Sequence, residues 1–101
     1  MPTKTWKNTE KKVAKITGGK RVGNRGTNTE DVDTSGVPGV ERFSIECKHS
    51  ASLPAWLRDG YAQAKRNAPE GKEPLLVVHP KHSRTYYAVL PLEILIGMVK
   101  S

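Results

Sequence analysis

The chain has 101 residues, of which 36% are hydrophobic, and a formal net charge of +7. This length suits one small domain, so we expect a single domain over residues 1–101. The absence of any apolar run near 18 residues excludes a membrane span, and the polar, lysine-rich N-terminus argues against a secretory leader. The single cysteine, Cys47, excludes an internal disulfide framework and favours a reducing compartment such as the cytoplasm.

The positive charge is concentrated at the start of the chain. Residues 1–25 contain eight of the 17 lysines and arginines and one of the ten acids, whereas residues 26–101 contain nine of each sign. Such a basic block favours binding to a polyanion, most simply a nucleic acid. The alternative is a solvated tail that keeps a small protein in solution.

The first predicted element is a helix over residues 4–17, which ends at Gly18-Gly19. Its apolar stripe is set by residues that recur at helical spacing, namely Trp6, Glu10, Val13, Ala14 and Thr17. Glu10 is unexpected on this stripe, because a carboxylate that faces a core is costly unless it has a partner.

The next segment is rich in glycine and is predicted to form short strands and turns. We expect a strand at residues 20–22, a flexible loop in "NRGTNTE" (residues 24–30) and a second strand in "EDVD" (residues 30–33). The sequence "TSGVPG" at residues 34–39 is typical of turns.

The run from Arg42 to His49 has the strongest strand pattern in the first half of the chain. Alternation places three apolar side chains on one face (Phe43, Ile45 and Cys47) and three polar ones on the other (Ser44, Glu46 and Lys48). An acid and a lysine therefore share one face of a strand that otherwise looks buried.

The second half of the chain predicts a helix, two strands and a last helix. The first helix is expected from a cap at Ser52, with Pro54 in its first turn, to about Asn67. The strands are "LLVVH" (residues 75–79), expected to be covered on both faces, and "TYYAVL" (residues 85–90). Pro91 can start the final helix. This order predicts an α/β domain with a mixed sheet flanked by helices.

The acids of these elements suggest a metal site. Glu46 and Lys48 point the same way because they are two residues apart on a strand, and Asp31 and Asp33 lie at the end of another strand. Converging carboxylates suit Mg²⁺, and a neighbouring lysine can offset the charge that develops during phosphodiester hydrolysis. By itself, E-x-K is a weak signal that more often marks a surface strand with cross-strand ion pairs.

Three stretches, "EDV", "FSIECKHSASLPAWLRDGYAQAKRNA" and "PLLVVHP", together resemble the PD-(D/E)xK nuclease superfamily, and most closely its phage-type Holliday junction resolvases. The resemblance spans residues 9–92, and "SIECKHSASLPAWLRDGYAQA" is its most specific part. It implies a restriction-endonuclease-like mixed β-sheet flanked by helices in a single nuclease domain. It also implies a homodimer that cuts branched double-stranded DNA with Mg²⁺, for which Mn²⁺ can substitute, in the cytoplasm of a cell or of a phage host.

The resemblance also implies roles for individual residues. Glu46 and Asp31 would be metal ligands, although Glu30 stands where the family has proline and Asp33 competes with Asp31 for this role. Lys48 would be the catalytic lysine. The remaining candidates are Glu10 and the Cys47 carbonyl as further metal ligands, and Gln63, which would help to order the site.

DNA contacts are expected from the basic residues near this site. Lys20, Arg21 and Arg25 lie on a glycine-rich segment that can approach phosphates, and His49 follows the motif lysine. Zinc is not expected, since the one cysteine and three histidines do not have the spacing of a zinc finger. Two alternatives to a resolvase remain: a nickase or repair endonuclease for other branched DNA, and a non-catalytic DNA-binding module.

Overall fold

The structure, a computed structural model, describes residues 2–22 and 30–100, and in the first helix it describes side chains from residue 7 onward. The chain is a small mixed α/β protein, as expected. Its elements in chain order are α1 (Pro2–Thr17), β1 (Lys20–Arg21), β2 (Val32–Asp33), a 3₁₀ helix (Val40–Arg42), α2 (Ala55–Asn67), β3 (Leu76–Val78), β4 (Tyr87–Val89) and α3 (Leu92–Lys100).

The chain divides into two compact units. The first unit comprises Met1–Ser50 and Leu92–Ser101, and the second comprises Ala51–Pro91. None of the helices in the described part of the chain is long and apolar enough to cross a membrane.

Helix α1 begins two residues before its predicted start and ends at Thr17, as predicted. Gly18 has a φ of 83°, and its N–H donates to the Ala14 carbonyl at 2.9 Å, which is how glycine typically ends a helix. The predicted inner stripe is confirmed where side chains are described, because Glu10, Ala14 and Thr17 are all buried.

The first unit is built around α1. Strands β1 and β2 pair antiparallel, with Lys20 opposite Asp33 and Arg21 opposite Val32. Helix α1 packs on both strands and on α3, and α3 also contacts the 3₁₀ helix. Four apolar side chains form the buried core of this unit: Ala14, Val32, Val40 and Ile96.

The strand predicted over residues 42–49 is wrong for most of its length. Arg42 ends the 3₁₀ helix, and within this run only Ile45 forms a β-bridge, antiparallel with Val32. The predicted alternation nevertheless persists from Phe43 to Lys48, with odd-numbered residues half-buried and even-numbered ones exposed. An extended backbone is enough for this alternation, whereas a strand also needs a partner along its length.

The described residues contain two separate two-stranded antiparallel sheets, β1–β2 and β3–β4, instead of the one mixed sheet that was expected. The alternation of side chains predicts that a segment is extended, but it does not identify the strand with which that segment pairs. The prediction of the sheet therefore failed at the pairing step, while the positions of all four short strands were close to those expected.

The second unit contains α2 and the β3–β4 hairpin. Helix α2 ends at Asn67 as predicted, but it starts at Ala55 with Pro54 at the N-cap, so Ser52 does not cap it. Leu76 of β3 lies against Gly60 of α2, where a Cβ would be 3.4 Å from both Leu76 methyl groups. The expectation that β3 is covered on both faces is wrong, because Val77 is 57% exposed.

The first prediction concerns two glycines of the first unit, each of which has a positive φ angle. Gly39 (φ 82°) approaches α3 so closely that a Cβ would overlap the Val99 carbonyl oxygen, whereas a Cβ on Gly36 (φ 78°) would meet nothing within 4 Å. Gly36→Ala should therefore cost about 1 kcal/mol of stability from the backbone alone. Gly39→Ala should cost at least about twice as much, because the overlap adds to the backbone term. Urea unfolding of both variants measures the difference, and equal losses would contradict the close approach of Gly39 to α3.

Candidate functional site

Asp31 joins β2 to the segment that carries Glu46 and Lys48. Its backbone N–H donates to the Ile45 carbonyl at 2.8 Å, and its carboxylate Oδ2 accepts the Cys47 N–H at 2.6 Å. The Asp31 carboxylate thus lies against the peptide bond that links Glu46 to Cys47. This contact joins two residues that are 16 positions apart in sequence.

The half-buried Cys47 thiol lies within the electrostatic influence of three acids. Burial raises the pKa of this thiol, and the negative charges of Asp31, Glu10 and Glu46 raise it further. We call these three acids the acidic cluster. Asp31 immediately precedes β2, Glu10 is in α1 and Glu46 is in the extended segment. They are the same carboxylates that were predicted as metal ligands.

Glu46 and Lys48 project toward solvent on the same side of the extended segment. Both residues are exposed, and the side chains of neither form a hydrogen bond or ion pair with the described residues. Their heads are therefore accessible to an external ligand, while the intervening Cys47 is turned inward.

Glu10 has a partner within the protein. The Arg21 Nε–H donates to Glu10 Oε1 at 2.7 Å, and the two side chains are only 24% and 10% exposed. This ion pair accounts for a carboxylate on the inner stripe of α1, since a buried charge requires compensation. It also places the guanidinium of Arg21, a predicted DNA contact, at the edge of the acidic cluster.

The Asp33 carboxylate accepts hydrogen bonds from a different residue than the Asp31 carboxylate does. Its Oδ1 accepts the Ser35 hydroxyl at 2.6 Å and the Ser35 N–H at 2.9 Å, which closes the turn after β2. These two hydrogen bonds, helped by the charge of Lys20, lower the pKa of Asp33. Because this carboxylate is committed to its own turn, Asp31 is the better placed of the two acids to act with Glu46.

The predicted DNA-binding residues lie in several places of the first unit. Lys20 is exposed and, with Arg21, Val22 and Asp33, lines a cavity of about 240 Å³ beside β1 and β2. His49 is exposed, and its Nδ1 is 3.0 Å from the Thr9 hydroxyl of α1. Arg25 and most of the loop predicted at residues 24–30 lie outside the described residues.

Gln63 belongs to the second unit, where it is exposed on α2. Among residues 2–22 and 30–100, no three histidine, cysteine, aspartate or glutamate side chains are arranged to hold a metal ion. The candidate oxygen ligands are therefore the two carboxylates that flank the Glu46–Cys47 peptide, those of Asp31 and Glu46.

Sequence reasoning missed three side-chain contacts that organise this region. Arg21 neutralises Glu10, Ser35 holds Asp33, and Thr9 contacts His49. Only the Ser35 contact had a local signal, because a serine two residues after an aspartate is a common turn pattern. The other two contacts join residues that are 11 and 40 positions apart.

No protein-family model, curated protein or solved structure matches this chain. The resemblance to the PD-(D/E)xK nucleases consequently depends on the motif residues and on their arrangement within the chain itself.

The second prediction concerns the Cys47 thiol. Its raised pKa should make alkylation by iodoacetamide at pH 8 slow compared with a free thiol. Glu46→Gln removes one of the charges that raise this pKa, so the pH dependence of alkylation should move to lower pH. Glu41→Gln is the control, because Glu41 is an exposed acid of the same unit that has no such effect on the thiol. An identical pH profile for all three proteins would contradict the proximity of Glu46 to the thiol.

Proposed function

We propose that the chain is a metal-dependent endonuclease that cuts branched DNA, specifically a resolvase of four-way junctions. The observation that carries this proposal is the contact of the Asp31 carboxylate with the Glu46–Cys47 peptide, on a segment where Glu46 and Lys48 are both exposed. Asp31, Glu46 and Lys48 follow one another along the chain in the order of the PD-(D/E)xK motif, which supports the proposal.

The residues present fit a hard divalent cation. Mg²⁺ is commonly bound through one or two carboxylates while it keeps several waters, and Asp31 and Glu46 supply such a pair. The Cys47 carbonyl, as the resemblance implies, is a third oxygen in the same segment. When bound, Mg²⁺ or Mn²⁺ would polarise the phosphoryl oxygens and lower the pKa of a bound water.

The other residues of the site have roles that follow from their charge and exposure. Lys48 is exposed beside Glu46, so its ammonium can approach a phosphodiester and offset the negative charge that grows on it. The Arg21–Glu10 ion pair holds α1 against β1 and keeps the guanidinium beside the cluster. A role for Gln63, on α2, is implied only by the resemblance to the family.

The proposed substrate follows from the basic surface of the first unit. Four lysines are exposed on α1, namely Lys7, Lys11, Lys12 and Lys15. Lys20 is also exposed, and it lines the cavity beside β1 and β2 together with Arg21. Contacts of this kind are made to phosphates and depend little on base sequence. We further propose a restriction-endonuclease-like arrangement and a homodimer, in which two sites related by a two-fold axis cut symmetric strands. The 55% exposed Met98 of α3 is a candidate contact between the subunits.

A second candidate is a non-catalytic DNA-binding module. The ion pair of Glu10 with Arg21 favours it, because one of the three acids of the cluster is already neutralised within the protein. The two candidates differ in their dependence on a divalent cation: the module binds DNA without needing one, whereas the nuclease needs Asp31 and Glu46 to cut.

The third prediction tests the proposed ligands on a synthetic four-way junction with Mg²⁺. Asp31→Asn and Glu46→Gln should each reduce cleavage at least about a hundredfold, because each removes a metal-binding charge. Asp33→Asn is the matched control and should retain most activity, since Asp33 is engaged in a turn with Ser35. Cleavage that survives both ligand substitutions would refute the site. Two nicked duplexes as products indicate a resolvase, whereas isolated nicks indicate a nickase.

The fourth prediction separates chemistry from binding at Lys48. Lys48→Ala should abolish turnover but weaken junction binding, measured by anisotropy in Ca²⁺, by less than about threefold, because one exposed lysine adds little to a multi-contact interface. Lys12→Ala is the control for loss of an exposed positive charge on α1. If binding falls as steeply as cleavage, Lys48 is a DNA-binding residue and has no catalytic role.

A further inference from the structure

The β3–β4 hairpin has an exposed face that the proposed nuclease site does not use. In this antiparallel pair Val77 lies opposite Ala88 and Val78 opposite Tyr87. Continuing the register by one residue pairs His79 with Tyr86 on the same face as Val77 and Ala88. We call these four residues the outer face of the hairpin. Val77 is 57% exposed and Tyr86 is 66% exposed, and the other two are exposed as well.

Two rings on the outer face form a flat, ordered platform. The rings of His79 and Tyr86 are stacked, with centroids 4.1 Å apart and an angle of 11° between their planes. The His79 ring is also fixed at its edge, because its Nε2–H donates to the Ser83 carbonyl at 2.6 Å. The turn itself is closed by a hydrogen bond from the Ser83 N–H to the Pro80 carbonyl at 3.1 Å. The platform is therefore held in place by the hairpin that carries it.

The segment that carries this platform has charged residues of one sign only. Residues 74–92 contain no aspartate or glutamate, and their two charged residues, Lys81 and Arg84, are exposed in the turn next to the platform. An exposed aromatic platform beside exposed cations combines the two features by which proteins bind unpaired nucleic acid. Bases stack on the rings, and the backbone phosphates contact the cations.

We propose that the outer face of the β3–β4 hairpin binds a nucleic-acid strand with unpaired bases, which stack on the His79–Tyr86 pair while Lys81 and Arg84 contact phosphates. A protein partner fits this surface less well, since its exposed rings, of which Tyr86 is 66% exposed, lie beside two exposed cations and no acid of the same segment. The site takes bases of any identity, because stacking does not read hydrogen-bonding edges. It goes beyond the proposed nuclease function and uses none of the residues of the acidic cluster.

The fifth prediction is a binding measurement on the full chain without divalent cations. The probes are oligothymidylate, oligouridylate and a blunt DNA duplex, all labelled, and binding of each probe is measured by fluorescence anisotropy. Tyr86→Ala should weaken binding of the single strands about tenfold and leave the duplex unchanged, whereas Tyr86→Phe should stay within about twofold of the original chain. The double variant Lys81→Gln, Arg84→Gln should lose two phosphate contacts. The slope of the logarithm of the single-strand binding constant against the logarithm of salt concentration should therefore become shallower by about 1.4.

Tyr87→Ala is the matched control, because Tyr87 is also an exposed tyrosine (55%) but lies on the opposite face of the hairpin. Circular dichroism and sedimentation of each variant report folding and self-association. Unchanged single-strand binding in Tyr86→Ala would overturn the proposal, and so would an equal loss in Tyr87→Ala. A change in self-association without a change in oligonucleotide binding would also overturn it, since the face would then be a contact between copies of the chain. Glu46→Gln should bind the oligonucleotides normally, so a failure of the nuclease proposal is distinguishable from a failure of this one.

Discussion

The arrangement of the first unit depends on the two hydrogen bonds made by Asp31. Its backbone N–H and its carboxylate both reach the segment from Ile45 to Cys47, which has no continuous strand partner among the described residues. These bonds, with the single bridge between Ile45 and Val32, hold the segment extended. The extended form is what turns Cys47 inward and leaves Glu46 and Lys48 on the solvent side. One side chain thus organises the segment and contributes a charge to the acidic cluster.

The ion pair of Glu10 with Arg21 is the second constraint, and it links helix α1 to β1. A carboxylate this buried is stable only if a cation compensates it, and Arg21 is the residue that does so. Arginine suits this position because its guanidinium keeps its charge and has donors left after one of them binds the carboxylate. The pair also lowers the total negative charge that Asp31 and Glu46 must tolerate.

The sequence predicted helices better than sheets, for physical reasons that particular residues illustrate. The C-terminal ends of α1 and α2 were predicted correctly because local signals set them. The signal is a glycine with positive φ after α1 and an alanine-proline pair after α2. The extended run at residues 43–48 was recognised by its alternation, but its pairing was not, since pairing depends on segments far away in the chain. At the site, the choice between Asp31 and Asp33 was left open by the sequence. In the structure the two carboxylates differ in their partners, because Ser35 donates to Asp33 through its hydroxyl and N–H, whereas the Cys47 N–H donates to Asp31.

The positive charge is distributed differently when it is counted by folded unit and when it is counted along the sequence. By sequence, the entire excess of +7 belongs to residues 1–25. By unit, the first has eleven basic and seven acidic residues and the second has six and three, so that net charges of +4 and +3 result. The acids of the first unit are partly gathered in the cluster around Cys47, whereas those of the second unit all precede residue 74. Each unit therefore presents a positive field to a polyanion. In the first unit the positive charge accompanies a group of carboxylates, which the proposed metal-assisted hydrolysis needs, and in the second it accompanies aromatic rings, which the proposed strand binding needs.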